Sequence, residues 1–163
     1  MRKRTIARVL AVALGAALAL GALAGCQSPA TGATDQQQAN RTYMTKVNQA
    51  VEELNTRLGE FDEAVAQESV VNMRNKANSA FEAIDALAAI DTPDAMKDLQ
   101  TNYVDGCNKL KDALNSYIYL YTEISSATEE APFDFSAYDG RVKEIQDAYN
   151  EGIDKEALKL NED

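Results

Sequence analysis

From Met44 to Val65 the large apolar residues fall three or four positions apart: Met44, Val47, Val51, Leu54, Leu58, Phe61 and Val65. Residues at that spacing share one face of an α-helix, whereas one face of a strand repeats every second residue. Lys46, Glu52, Glu53, Arg57 and Glu60 fall off the stripe, as the solvated side of an amphipathic helix requires. A helix over about 41–67 follows. The register then slips, and Val70, Met73, Ala77, Ala80 or Phe81, Ile84, Leu87 and Ile90 form a second stripe. The intervening Gln67-Glu68-Ser69 contains neither Gly nor Pro, but Ser69 is a suitable cap for a new helix. One unbroken helix over 41–90 would run about 75 Å, further than other elements of this chain could cover. A break is expected there, with one long kinked helix as the alternative.

The next boundary is Thr92-Pro93-Asp94: a cap residue, a proline at the first helical position, and an acid that complements the helix dipole. A helix over 93–127 follows, with Met96, Leu99, Tyr103, Cys107, Leu110, Leu114, Tyr117, Tyr121 and Ile124 on one face. Gly106 lies within it and costs about 1 kcal/mol relative to alanine, which points to a close helix crossing. Ser125 to Pro132 is a short acidic connection. Asp134 or Ser136 is expected to cap a last helix over 134–159, with Phe135, Tyr138, Val142, Ile145, Tyr149 and Ile153 on one face. No stretch alternates with period two long enough to suggest a strand. The fold class is therefore all-α: an up-down antiparallel bundle of four helices, about 41–67, 69–90, 93–127 and 134–159. Three helices with a long kinked first one is the alternative.

The N-terminus has a different character. Arg2, Lys3 and Arg4 precede fifteen uncharged residues, Val9 to Leu23. As helix these would measure about 22 Å, short of the roughly 30 Å hydrocarbon core, so an export signal fits better than a permanent span. Leu23-Ala24-Gly25-Cys26 follows at once. Basic start, apolar run and small residues before a cysteine, in that order, resemble a bacterial lipoprotein precursor. The resemblance implies that signal peptidase II recognises Leu23, Ala24 and Gly25 and that Cys26 becomes the lipidated first residue. It also implies an extracytoplasmic protein of the bacterial cell envelope, with the membrane as partner through that anchor. The expected organisation is a removed signal peptide at 1–25, the lipidated Cys26 with a flexible tether at 26–40, and a single helical-bundle domain at 41–163. The tether assignment rests on QSPATGATDQQQAN, which lacks any large apolar side chain and so cannot join a core.

Removal of the leader takes four of the 16 basic residues and none of the 26 acidic ones, leaving twelve against twenty-six, a net charge of −14. Such a surface repels phosphate backbones. No nucleic-acid partner is expected, and a protein partner chosen by charge would be basic. The chain has no histidine, so histidine-based triads and the common histidine-containing zinc sites are excluded. Carboxylate pairs such as Glu52-Glu53 and Glu129-Glu130 are neighbours along the chain rather than groups converging in a cleft. No catalytic residue, metal ligand or cofactor is assigned, and the protein is not expected to be an enzyme. With Cys26 consumed by lipid, Cys107 stands alone on the apolar stripe, where a thiol acts as a small hydrophobe.

The most unusual stretch is Tyr117-Ile118-Tyr119-Leu120-Tyr121. Together with Tyr103, these tyrosines are the candidate contact or ligand surface; their bodies are apolar and their tips polar. Tyr117 and Tyr121 share a face and Tyr119 does not. The expected function is a lipid-anchored binding or scaffold module at the cell envelope. The alternative is a small-ligand-binding accessory lipoprotein for transport or sensing. A filled core with an exposed aromatic patch would favour the first, and a cavity lined by Tyr103, Tyr117 and Tyr121 the second.

Overall fold

The computed structural model describes residues 34–153. The expected signal peptide, Cys26 and its neighbours, and the expected end of the last helix near Lys159 lie outside the described residues. The first helix, α1, spans Asp35–Ala66. Its start is fixed by a capping box: Gln37 donates its backbone N–H to Thr34 Oγ1 at 3.3 Å, and the Gln37 side chain accepts the Thr34 N–H at 3.1 Å. Two of the otherwise orphaned donors at a helix start are thereby satisfied. Residues 35–40, expected to be tether, are therefore the first turns of the helix. Tyr43, not Met44, begins the buried stripe; it is 2 % exposed while Met44 is half-buried.

The expected break at 67–69 is present, and it excludes the single long helix. Glu68 adopts φ 56°, the left-handed conformation in which glycine usually ends helices. Helix α2, Val70–Ala88, is capped by Ser69, whose Oγ accepts the Asn72 N–H at 3.3 Å. The boundary at Thr92-Pro93 is built differently from expectation. Thr92 Oγ1 donates back to the Ile90 carbonyl at 2.8 Å instead of capping forward, and Pro93 is extended with ψ 146°. A 3₁₀ turn, Asp94–Met96, intervenes before α3, Lys97–Ser126. Gln100, one turn into α3, closes the junction. Its Nε2 donates to the carbonyls of Leu87 at 3.0 Å and Ala88 at 3.3 Å, and its Oε1 accepts from the Tyr43 hydroxyl at 2.6 Å.

Helix α4 is described over Tyr138–Ile153. Asp134 does not cap it. Its carboxylate accepts the Ser136 N–H at 2.8 Å and hydroxyl at 3.0 Å, a local turn that holds residues 134–136 outside the helix. Phe135, expected on the buried face, is consequently 52 % exposed.

Cross-helix pairs give the directions. Lys76 meets Glu60 at 2.9 Å, Lys111 meets Asp85, Arg141 meets Glu123 at 2.6 Å, and Lys109 meets Glu151. Sequential helices are therefore antiparallel. Helices α1 and α3 run the same way, since Tyr43 bonds Gln100 and Phe61 packs edge-on against Tyr117 at 5.8 Å. The result is an up-down-up-down four-helix bundle. Its core is apolar: Val47, Leu54, Phe61, Met73, Leu87, Leu110, Leu114 and Leu120 are at most 1 % exposed, and no polar or charged residue is buried among the described residues. The crossing expected at Gly106 is found where α4 lays Gly152 against the Gly106 carbonyl and Leu110.

Candidate functional site

The structure divides the four candidate tyrosines. Tyr103 and Tyr117 are fully buried and Tyr121 is 8 % exposed, whereas Tyr119 is 60 % exposed. One helix carries both outcomes because position 119 lies on the opposite side of α3 from 117 and 121. Tyr117 stacks on Tyr121 at 6.5 Å, and Tyr121 donates its hydroxyl to the Glu68 carbonyl at 3.3 Å, closing the top of the bundle. The hydroxyls of Tyr103 and Tyr117 find no hydrogen-bond partner among the described residues. Burial pushes Tyr103 up to about 12 and Tyr117 upward as well, because the phenolate would be desolvated. These three tyrosines are core residues, and they do not form a surface with Tyr119. Ile118 and Leu120, also off the stripe, are buried.

Tyr119 stands at an open groove of about 500 Å³ between α3 and α4. Asp112, Ala113, Ser116 and Tyr119 line it from α3, and Arg141, Glu144, Ile145 and Ala148 from α4. Small side chains on the facing helices leave the space, and Ile145 with Ala113 supplies an apolar floor. A second groove of about 370 Å³ lies at the end of the bundle. It is lined by Glu123 and Ser126 of α3, Pro132, Phe133 and Asp134 of the connection, and Arg141. The two meet at Arg141. Its guanidinium lies 5.6 Å from the Tyr119 ring centroid, and its Nη2 is 2.6 Å from Glu123 Oε2. A cation held over an aromatic face beside a carboxylate is a favourable arrangement at a partly exposed site. Asp112 and Glu144 are exposed and form no ion pair among the described residues.

Beside the second groove, Phe133 and Phe135 pack edge-on at 4.8 Å, and Tyr138 lies 6.4 Å from Phe133. Phe133 and Arg141 were not among the expected site residues. The signal for the first was legible in Pro132-Phe133-Asp134-Phe135-Ser136-Ala137-Tyr138, two aromatic residues within the connection and a third at the start of α4. Nothing in the sequence distinguishes Arg141 from other basic residues on a helix face.

Cys107 is 2 % exposed, and desolvation pushes its thiol up to about 11, opposed weakly by Lys111. A thiol so protonated is a poor nucleophile. Asp62 is half-buried, and burial raises its carboxyl to about 6. Its charge in turn helps to raise the hydroxyls of Tyr117 and Tyr149, which face it from α3 and α4. No group of three or more acidic or cysteine side chains among the described residues is placed to hold a metal ion. No described helix is long and apolar enough to cross a membrane. Comparison with protein-family models, curated proteins and solved structures gives no match.

Proposed function

We propose that the protein is a lipid-anchored binding module of the bacterial cell envelope that works through contact with another protein, using the α3–α4 face around Tyr119. The observation that carries this reading is the contrast between a filled apolar core and one exposed tyrosine set over a groove. Large aromatic side chains at groove edges are the usual anchors of protein contacts. Of the tyrosines that could have lined an internal ligand site, Tyr117 packs against Phe61 and Tyr121, and Tyr103 is fully buried in the core.

Position along the bundle supports the same reading. Lipidation at Cys26 places the anchor nine residues before Asp35. Tyr119 lies at about the level of Phe61 of α1, because Phe61 packs on Tyr117. Twenty-six residues separate Asp35 from Phe61, about 39 Å of helix. The contact face is thus set towards the end of the bundle far from the anchor, where an envelope partner has access.

A photo-crosslinking amino acid at position 119, introduced into the full chain in intact cells, tests the proposal. A discrete crosslinked partner is expected, and the same group placed at Glu52 on α1 should not capture it. Labelling with a fatty-acid analogue in wild type and Cys26→Ser tests the anchor. Equal labelling of the two proteins sinks the lipoprotein part, and equal capture from positions 52 and 119 sinks the contact surface.

A further inference from the structure

The two grooves share Arg141 and follow one another along the α3–α4 seam. From Asp112 to Ser126 they extend over about 21 Å of α3, the length of roughly six or seven extended residues. Two exposed rings flank this line: Tyr119 at 60 % and Phe135 at 52 %. Four carboxylates line it, those of Asp112, Glu144, Glu123 and Asp134, against the single cation Arg141. That guanidinium is already committed to Glu123 and the Tyr119 face. The line therefore offers apolar and aromatic surface with a net charge of −3. It is too long and too open to enclose a small molecule, which is usually buried over most of its surface.

We propose that the two grooves form one track for a basic amphipathic segment of a partner protein. This inference rests on the contact-surface reading above and specifies its occupant. The segment's apolar side chains pack on Tyr119, Ile145 and the Phe133–Phe135 pair. Its Lys or Arg groups meet Asp112 and Glu144 at one end and Asp134 at the other. Arg141, at the junction, displays the same chemistry within the chain: a cation between an aromatic face and a carboxylate. An acidic segment or an anionic lipid surface would meet like charge along the whole line, at a cost in affinity and on-rate.

The test uses the full chain in nonionic detergent, with protein-free micelles as the blank. The probes are fluorescent peptides of about twelve residues, alternating Leu with Lys or Leu with Glu, long enough to cover the track when extended. Binding of the lysine peptide and not the glutamate peptide is expected. The double change Asp112→Asn with Glu144→Gln, and separately Tyr119→Ser, should each weaken the lysine peptide roughly tenfold. Glu52→Gln with Glu82→Gln removes the same charge from exposed positions on α1 and α2 and should change binding by less than about twofold, as a screened remote effect. Equal losses from the two charge-removing pairs, unchanged binding in Tyr119→Ser, or equal binding of the two peptides would overturn the inference. A partner crosslinked from position 119 through an acidic segment would overturn it too, while leaving the contact surface standing.

Discussion

Gly152 of α4 packs directly on Leu110 of α3: a Cβ added at Gly152 would stand 2.6 Å from Leu110 Cγ and 2.8 Å from the Gly106 carbonyl oxygen. The carbonyl belongs to helix backbone, so the helices themselves would have to separate. Gly152→Ala is expected to destabilise the bundle by about 1–3 kcal/mol, as overpacking does. Gly59 is the internal control, since nothing lies within 4 Å of its added Cβ and the residue is itself exposed. Gly59→Ala should stabilise by about 0.5–1 kcal/mol through helix propensity. Urea unfolding of both variants reads the contrast; stabilisation by Gly152→Ala as well as by Gly59→Ala would show that the α3–α4 crossing is not tight.

Asp62 gives the bundle a pH dependence of known sign. Its carboxyl is raised by burial from an ordinary value of 3.8 to about 6, so the folded state holds this proton more tightly than the unfolded chain does. Folding then takes up a proton between about pH 4 and pH 6, and the contribution to stability falls as pH rises through that window. Above it the carboxylate is charged in both states and the full desolvation penalty is present. Asp62→Asn removes the penalty. Because the side chain is half-buried and water screens it, the gain at pH 8 should be on the order of 1 kcal/mol, and near zero at pH 4. A stability gain independent of pH across this range would remove the carboxyl as its cause.

The four helices were legible in the three-and-four spacing because each buries one stripe, and the break at Gln67-Glu68-Ser69 was legible as a slip of phase. What failed was at the ends. The first turns of α1 carry no large apolar residue, so periodicity is silent there and only Thr34 with Gln37 marks the start. At Thr92-Pro93 the expected cap bonds backwards to Ile90, since Pro93 is extended and a 3₁₀ turn fills the gap. Asp134 spends its carboxylate on Ser136 and so delays α4 by a turn. Of residues 117–121, which the sequence singled out, Tyr119 alone reaches the surface. Which neighbours of a helix cover which face is set by packing between elements, and a single helix does not encode it. Arg141 gained its place only when α4 laid it beside Tyr119.

Cys107 should be inert while the protein is folded. A buried thiol at about 11 presents little thiolate at neutral pH and no access for a reagent. Mass mapping after a thiol-specific alkylating reagent should find Cys107 unmodified in buffer and fully modified in denaturant. Cys107→Ala should cost about 1 kcal/mol, the value of a small deleted core group. Rapid native modification would place Cys107 outside the packed core.

Gln100 joins three helices through one amide. It accepts from Tyr43 of α1 and donates to the last carbonyls of α2, while its own backbone belongs to α3. Tyr43 is 2 % exposed, so its hydroxyl has little water to turn to when the amide is lost. Gln100→Ala therefore removes three hydrogen bonds and leaves the Tyr43 hydroxyl with the neighbouring Thr92 hydroxyl as its remaining side-chain partner, an expected loss of about 1–3 kcal/mol. Tyr43→Phe removes the donor instead and leaves the Gln100 oxygen, which is half-buried, able to meet water; about 1 kcal/mol is expected. Each single variant deletes the same Tyr43–Gln100 bond, so in the double variant the combined loss should fall short of the sum of the singles by about 1 kcal/mol. Thermal or urea unfolding of the three variants measures this coupling. Strict additivity would mean that the Tyr43–Gln100 bond does not hold the lower end of the bundle together.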